Sequence, residues 1–141
     1  MGRDAPSKAS RRIDARELAA IFAGGAIGGA IRTVVEHAAP AKGGAWPWTT
    51  FAVNVVGCLL LGYFLTRLQE RLPVTAYRRP LLGTGLCGAL TTFSAFQLEL
   101  LRLLDHGAVL LALLYAVTSI GAGLLAFQVG TAIVRRARLT W

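Results

Sequence analysis

With 141 residues, 55% hydrophobic and only 16% charged, and a mean hydropathy of +0.56, the chain is too apolar for a soluble domain, in which about 25% charged residues is usual. Four crossings at about 20 apolar residues each use roughly 80 residues and leave about 60 for ends and turns, which excludes a sizeable soluble domain. A net charge of +8 would point to nucleic acid in a soluble chain; in a membrane chain it is first an orientation signal.

Residues 1–17 are polar and mixed in charge, with Arg3, Asp4, Lys8, Arg11, Arg12, Asp14, Arg16 and Glu17. They read as a cytoplasmic tail before a retained first span, because a signal peptide would start its apolar core sooner and end it at a cleavage site. Span one is predicted over 18–38. Its glycines pair at i, i+4, Gly24 with Gly28 and Gly25 with Gly29, a spacing that lets another helix approach closely. Pro40 to Trp48 reads as a turn with Gly43, Gly44 and Pro47 as breakers, and Trp46 and Trp48 suit an interfacial aromatic belt. Span two, 49–66, leads into a basic connector from Arg67 to Arg79. Span three, 80–104, is an odd membrane helix, since LLGTGLCGALTTFS holds three glycines and several hydroxyls. After the short turn Asp105–His106–Gly107, span four covers 108–134 and stops at a basic tail, 135–141.

Of the fifteen Lys and Arg residues, five lie in the N-terminal tail, four in the second connector (Arg67, Arg71, Arg78, Arg79) and three in the C-terminal tail. Arg32, Lys42 and Arg102 lie elsewhere. Twelve against three is a strong positive-inside bias, so both termini are expected on the cytoplasmic side. The same bias accounts for the basic charge without a nucleic-acid partner. Cys58 and Cys87 both sit in apolar runs, and two thiols without nearby histidines read as buried apolar groups rather than as a disulfide framework or zinc site.

Polar groups inside spans are costly in hydrocarbon and mark partners or aqueous paths. Asn54, early in span two, offers two amide protons and a carbonyl; it can bolt two helices together or hold a small anion. The stretch Gly83–Gly88 followed by Thr91 and Thr92 is either a glycine-rich continuous helix or a break whose freed carbonyls, near Gly88 and Thr91, would make a cation site. Phe93 and Phe96 share a helix face at i, i+3. They either pack or present positive ring edges to an anion, with Glu99 a further three residues on, lining a vestibule or pairing with a base. In span four, Tyr115 and Ser119 share a face with Thr118 beside them, and their hydroxyls bond neighbouring backbone or line a path.

The segments GGAIGGAIR (24–32), PWTTFAVNVVG (47–57) and GLCGALTTFSAF (85–96) resemble those of the Fluc-type (CrcB-like) bacterial fluoride channels, over residues 24 to about 130. The TTFSxF signature is the most specific of them. The resemblance implies an all-α membrane protein of four transmembrane helices with a broken third, assembled as an antiparallel, dual-topology dimer with two fluoride paths at the interface. It implies that Asn54 contacts the anion, that Phe93 and Phe96 are the paired pore phenylalanines, and that Tyr115 and Ser119 belong to a polar track. It further implies that the backbone carbonyls of Gly88 and Thr91 hold a structural, non-transported sodium ion, with Arg32 and Glu99 as vestibule or supporting residues. Two features depart from the family's habits: Thr49 and Phe51 stand where relatives commonly carry glycine and leucine, and Gly123 lacks a hydroxyl that some relatives use to extend the track.

The function expected is passive, fluoride-selective export across the bacterial cytoplasmic membrane. The charge bias adds that the antiparallel partner is either the same chain or an oppositely oriented sister subunit, because a chain inserting both ways needs near-equal charge on its two sides. The alternatives are a proton-coupled four-span multidrug exporter, which would need a carboxylate deep in span one where only Glu36 lies near its far end, and a non-transporting scaffold in the membrane lipid. An enzyme is not expected, since no nucleophile–base pair or metal-ligand spacing is evident around His37 or His106.

Overall fold

The computed structural model describes residues 14–40, 44–70 and 77–137. The polar tail before residue 14, Lys42 and Gly43 of the first turn, Arg71 and Pro73 of the connector, and Arg138 lie outside the described residues. Four helical segments are long and apolar enough to cross a membrane: Ala15–Ala38, Trp48–Glu70, Pro80–Asp105 and Val109–Arg136. Among the described residues every regular element is helical.

Helix α1 (Ala15–Ala38) begins where the Asp14 side chain caps the Arg16 amide at 2.9 Å, and it ends just before Pro40. The Thr49 hydroxyl donates to the Ala39 carbonyl and so ties the start of α2 (Trp48–Glu70) to the end of α1. The third segment opens as a π-helical stretch, π1 (Pro80–Cys87), with proline in the first turn, where its missing N–H costs nothing. It continues into a single α turn, α3 (Gly88–Leu90), and resumes after two non-helical residues as α4 (Phe93–Asp105). Gly107 then takes φ +71°. The Ala108 amide reaches the Leu103 carbonyl at 2.9 Å and the Gly107 amide that of Leu104 at 2.8 Å, the glycine-centred helix end that reverses the chain into α5 (Val109–Arg136).

Two close pairs build the bundle, α1 with π1 and α2 with α5. Each is set by glycines at which any Cβ would strike the opposite backbone. Gly24 and Gly28 lie against the carbonyls of Leu81 and Leu86, and Gly85 lies against Ile21 and Gly24. Gly25 and Gly29, on the neighbouring track of α1, face open space. In the second pair Gly62 abuts the Phe127 backbone and Gly130 abuts Leu59 and Tyr63. Thr66 and Thr131 bond across it at 3.3 Å, and Glu70 and Arg135 close its end at 3.2 Å. Burial is thin and outward faces are apolar, as expected where lipid replaces water. Among the described residues an aromatic core gathers Phe96, Leu103, Ala112 and Tyr115 with Trp46 and Phe51 packed against it. Trp48 is exposed as an interfacial ring would be, whereas Trp46 turns inward onto that core.

These contacts separate two kinds of glycine. Gly130→Ala places a methyl into the Leu59–Tyr63 backbone and should destabilise the purified protein by about 1–3 kcal/mol. Gly121→Ala, which meets open space, should stay within about 0.5 kcal/mol of the parent. Thermal unfolding in detergent checks both.

Candidate functional site

The site is organised by the two threonines between α3 and α4. Thr91 (φ −77°, ψ 140°) and Thr92 (φ −141°, ψ 118°) are both extended. Each threonine tends one helix end. Thr91 turns back, its amide and hydroxyl both donating to the Cys87 carbonyl at 2.9 and 2.8 Å. Thr92 faces forward, its hydroxyl accepting from the Ala95 amide at 3.1 Å as the N-cap of α4. The sequence leaves open a continuous glycine-rich helix or a break over Gly83–Gly88 and the Thr91 and Thr92 that follow; the opening lies at the two threonines, and Gly83–Gly88 remains helical. Most of that stretch is wound as π1, and Gly88 itself is helical (φ −64°, ψ −32°). The physical reason is that Gly85 of π1 is used for close packing on α1 and Gly83 faces Leu65 of α2, while the threonines carry side chains that can satisfy opened backbone.

Asn54 on α2 closes the remaining gap. Its Oδ1 accepts from the Thr92 amide at 2.8 Å and its Nδ2 donates to the Thr92 carbonyl at 3.3 Å. The Thr92 amide, which would continue the ladder to the Gly88 carbonyl, is thereby diverted. The pairing also fixes the amide's orientation, because only the oxygen can accept from an N–H. One Nδ2 proton is used and one is left. On the other side Arg32 of α1 donates from Nε to the Ala89 carbonyl at 3.3 Å and pairs with Glu36 at 3.2 Å. A charged group thus serves a carbonyl at the end of α3.

A groove of about 410 Å³ runs along this interruption, lined among others by Asn54, Thr91, Phe93, Phe96, Ser119 and Phe127. Asn54, both phenylalanines and Ser119, predicted from separate spans, therefore meet on one surface. The Phe93 and Phe96 centroids are 5.7 Å apart with planes 30° from parallel. Phe93 is 70% exposed on the open side, and Phe96 is 8% exposed. Behind Phe96, at 5.4 Å between centroids, lies the wholly buried Tyr115 ring. Its hydroxyl faces that of Ser119, one turn on, and neither oxygen has a further partner among the described residues. Thr118 is exposed and does not line the groove.

Glu99 is buried, bonds Arg102 at 2.9 Å, and lines a separate cavity of about 480 Å³ with Glu36, Thr49, Thr50 and His106. That cavity opens at the end of the bundle that carries the α1–α2 and α4–α5 connections. Arg32 does not line it and reaches it only through Glu36. Three features escaped the sequence reading. Cys58 is half-buried and lines the groove, Thr92 is the anchor for Asn54, and Trp46 packs on Tyr115. The i, i+4 spacing of Asn54 and Cys58 was a usable signal for the first; the other two depend on contacts between distant segments. At Gly123 a Cβ would meet Cys58 Sγ at 3.4 Å, an ordinary contact. The Gly88 and Thr91 carbonyls sit where the ladder is interrupted, and neutral carbonyl oxygens suit a hard cation such as sodium.

Comparison with known proteins places this geometry. The model of the family described as CrcB-like protein, Camphor Resistance (CrcB), matches residues 19–131. A Mycobacterium tuberculosis (strain CDC 1551 / Oshkosh) protein named fluoride-specific ion channel FluC 1 is 56% identical over 126 residues, 89% of this chain and 96% of that protein. The FluC 1 of Mycolicibacterium paratuberculosis is equally similar over the same span. A fluoride-specific ion channel FluC of Rhizobium leguminosarum bv. trifolii is 39% identical over 116 residues, 82% of this chain and 93% of its own length. A match that takes in all four spans and the whole groove settles the kinship: the chain belongs to the CrcB-like family.

Proposed function

We propose that this chain is a subunit of a fluoride-selective channel. The observation that carries the reading is the single groove in which the Asn54 amide, the Phe93–Phe96 pair and the Ser119 hydroxyl meet, in a chain whose relatives are named for fluoride conduction. Fluoride is small and strongly hydrated, so a path must replace its water with donors. The remaining Asn54 N–H and the hydroxyls of Ser119 and Tyr115 are donors, and ring edges carry positive charge. Together they hold an anion loosely, which conduction requires. The groove is apolar on its far wall and open on the Phe93 side, so we assign the missing wall to a second, antiparallel subunit.

In this assembly the interruption at Thr91–Thr92 works as the broken third helix of a pore. Sodium, held by the Gly88 and Thr91 carbonyls, would supply a fixed positive charge that neutralises those carbonyls at the subunit contact. The chain's own residues set that geometry, since Asn54 diverts the Thr92 amide from Gly88. With both termini cytoplasmic, a negative-inside potential drives the anion outward at about 2.3 kcal/mol per charge per 100 mV. Hydrogen fluoride that enters as a neutral acid and dissociates inside would leave by this route. The twelve-to-three charge bias favours a second subunit of opposite bias over a second copy.

Liposomes holding the purified chain, alone or with a candidate sister chain, should release fluoride and retain chloride; equal release of both halides would end the selectivity reading, and activity of the chain alone would favour the homodimer. Asn54→Asp keeps an acceptor for the Thr92 amide and removes the donors. Flux should fall about tenfold or more, with the protein still folded. Asn54→Leu strips both Thr92 groups of their partner and should in addition cost about 2–4 kcal/mol of stability. Replacing sodium by N-methylglucamine should lower the melting temperature of the purified assembly; an unchanged melt would remove sodium from the account.

A further inference from the structure

We propose that Trp46 is a further anion-contacting residue, its indole N–H carrying the path from Tyr115 to the cavity at the connection end of the bundle. The inference rests on the channel reading above. It starts from an imbalance of hydrogen bonds. The Trp46 Nε1, Tyr115 and Ser119 polar atoms are buried with no partner among the described residues, and all three belong to one contiguous group. An indole can only donate. A buried donor without an acceptor is disfavoured and rare; the Tyr115 and Ser119 hydroxyls face each other, whereas the indole N–H beside them has nothing to donate to, which points to an acceptor that is not part of the chain.

Their arrangement gives the group a direction. From the groove, Phe93 contacts Phe96 at 5.7 Å, Phe96 contacts Tyr115 at 5.4 Å, and Tyr115 contacts Trp46 at 5.4 Å with planes 88° apart. Donors accompany this file, from Ser119 to Tyr115 one turn nearer the start of α5, and then to Trp46. In the opposite direction the groove continues past Cys58 and Gly123. Trp46 is flanked by Ala45, and Ala45, Thr49 and Thr50 line the 480 Å³ cavity that also holds Glu99. The Glu99 carboxylate, which alone would repel an anion there, is paired with Arg102 at 2.9 Å. Tyr115 and Trp46 line neither space themselves; on the proposed route an anion leaving Ser119 would meet the Tyr115 hydroxyl and then the indole N–H. Fluoride accepts far more strongly than chloride, so the indole would also add to discrimination.

Trp46→Phe keeps the ring and deletes the N–H. Since no partner is lost, the reconstituted channel should melt at the same temperature or higher while fluoride flux falls about tenfold, the loss of one net hydrogen bond. In the wild-type protein labelled with ¹⁵N at tryptophan, the indole signal that disappears in Trp46→Phe should move with sodium fluoride and stay still with sodium chloride. Wild-type flux in the variant, or an indole signal indifferent to fluoride, overturns the proposal and leaves the channel reading standing. So does a lowered melting temperature, which would mean that the N–H is spent on the face of a neighbouring ring. Absence of fluoride flux from the wild-type chain both alone and with its sister chain overturns both.

Discussion

Everything in this fold turns on how an opened backbone is satisfied inside hydrocarbon. Extended residues at membrane depth persist only where protein groups take over their hydrogen bonds. Here Asn54 takes both polar groups of Thr92, and the threonine hydroxyls serve the helix ends on either side. Arg32 serves the Ala89 carbonyl. Remove those substitutes and the third span has every reason to straighten. The interruption is thus the joint product of three spans, and the groove beside it inherits their positions.

The glycine contacts do the positioning. With Gly24 and Gly28 against π1 and Gly62 and Gly130 inside the α2–α5 pair, backbones approach to a degree that larger residues forbid. That closeness brings Arg32 within reach of α3 and Asn54 within reach of Thr92. α4 leans chiefly on α5, which stacks Phe96 onto Tyr115. Side-chain chemistry at the groove is therefore coupled to residues that never touch it.

Much of this was legible in the sequence because hydropathy and local spacing are local signals. The four spans, the paired phenylalanines one turn apart and the shared face of Tyr115 and Ser119 all follow from periodicity along single helices. The point left open is instructive. Glycine weakens a helix, so the segment from Gly83 to Thr92 could be read as continuous or as broken at any point along it, and the glycine part is held wound against a neighbouring helix. Threonine, a residue with no special freedom, supplies the break because its hydroxyl can replace what the break removes. The Asn54–Thr92 pairing spans 38 positions and the Trp46–Tyr115 contact 69. No pattern within one segment encodes such meetings, and both lie at the site rather than in the scaffold around it.

The first helix has a consequence for biogenesis. It has little contact with α2, its neighbour in the chain, and docks almost entirely on residues of the third segment, Leu81 to Leu90. During synthesis the leading hairpin consequently has little internal surface beyond the Thr49–Ala39 tie to fasten it, and its glycine track waits bare until the third segment has been threaded. Maturation must run from the later segments back to the first, which makes the newborn amino-terminal half the stage most exposed to wrong pairing with other nascent helices.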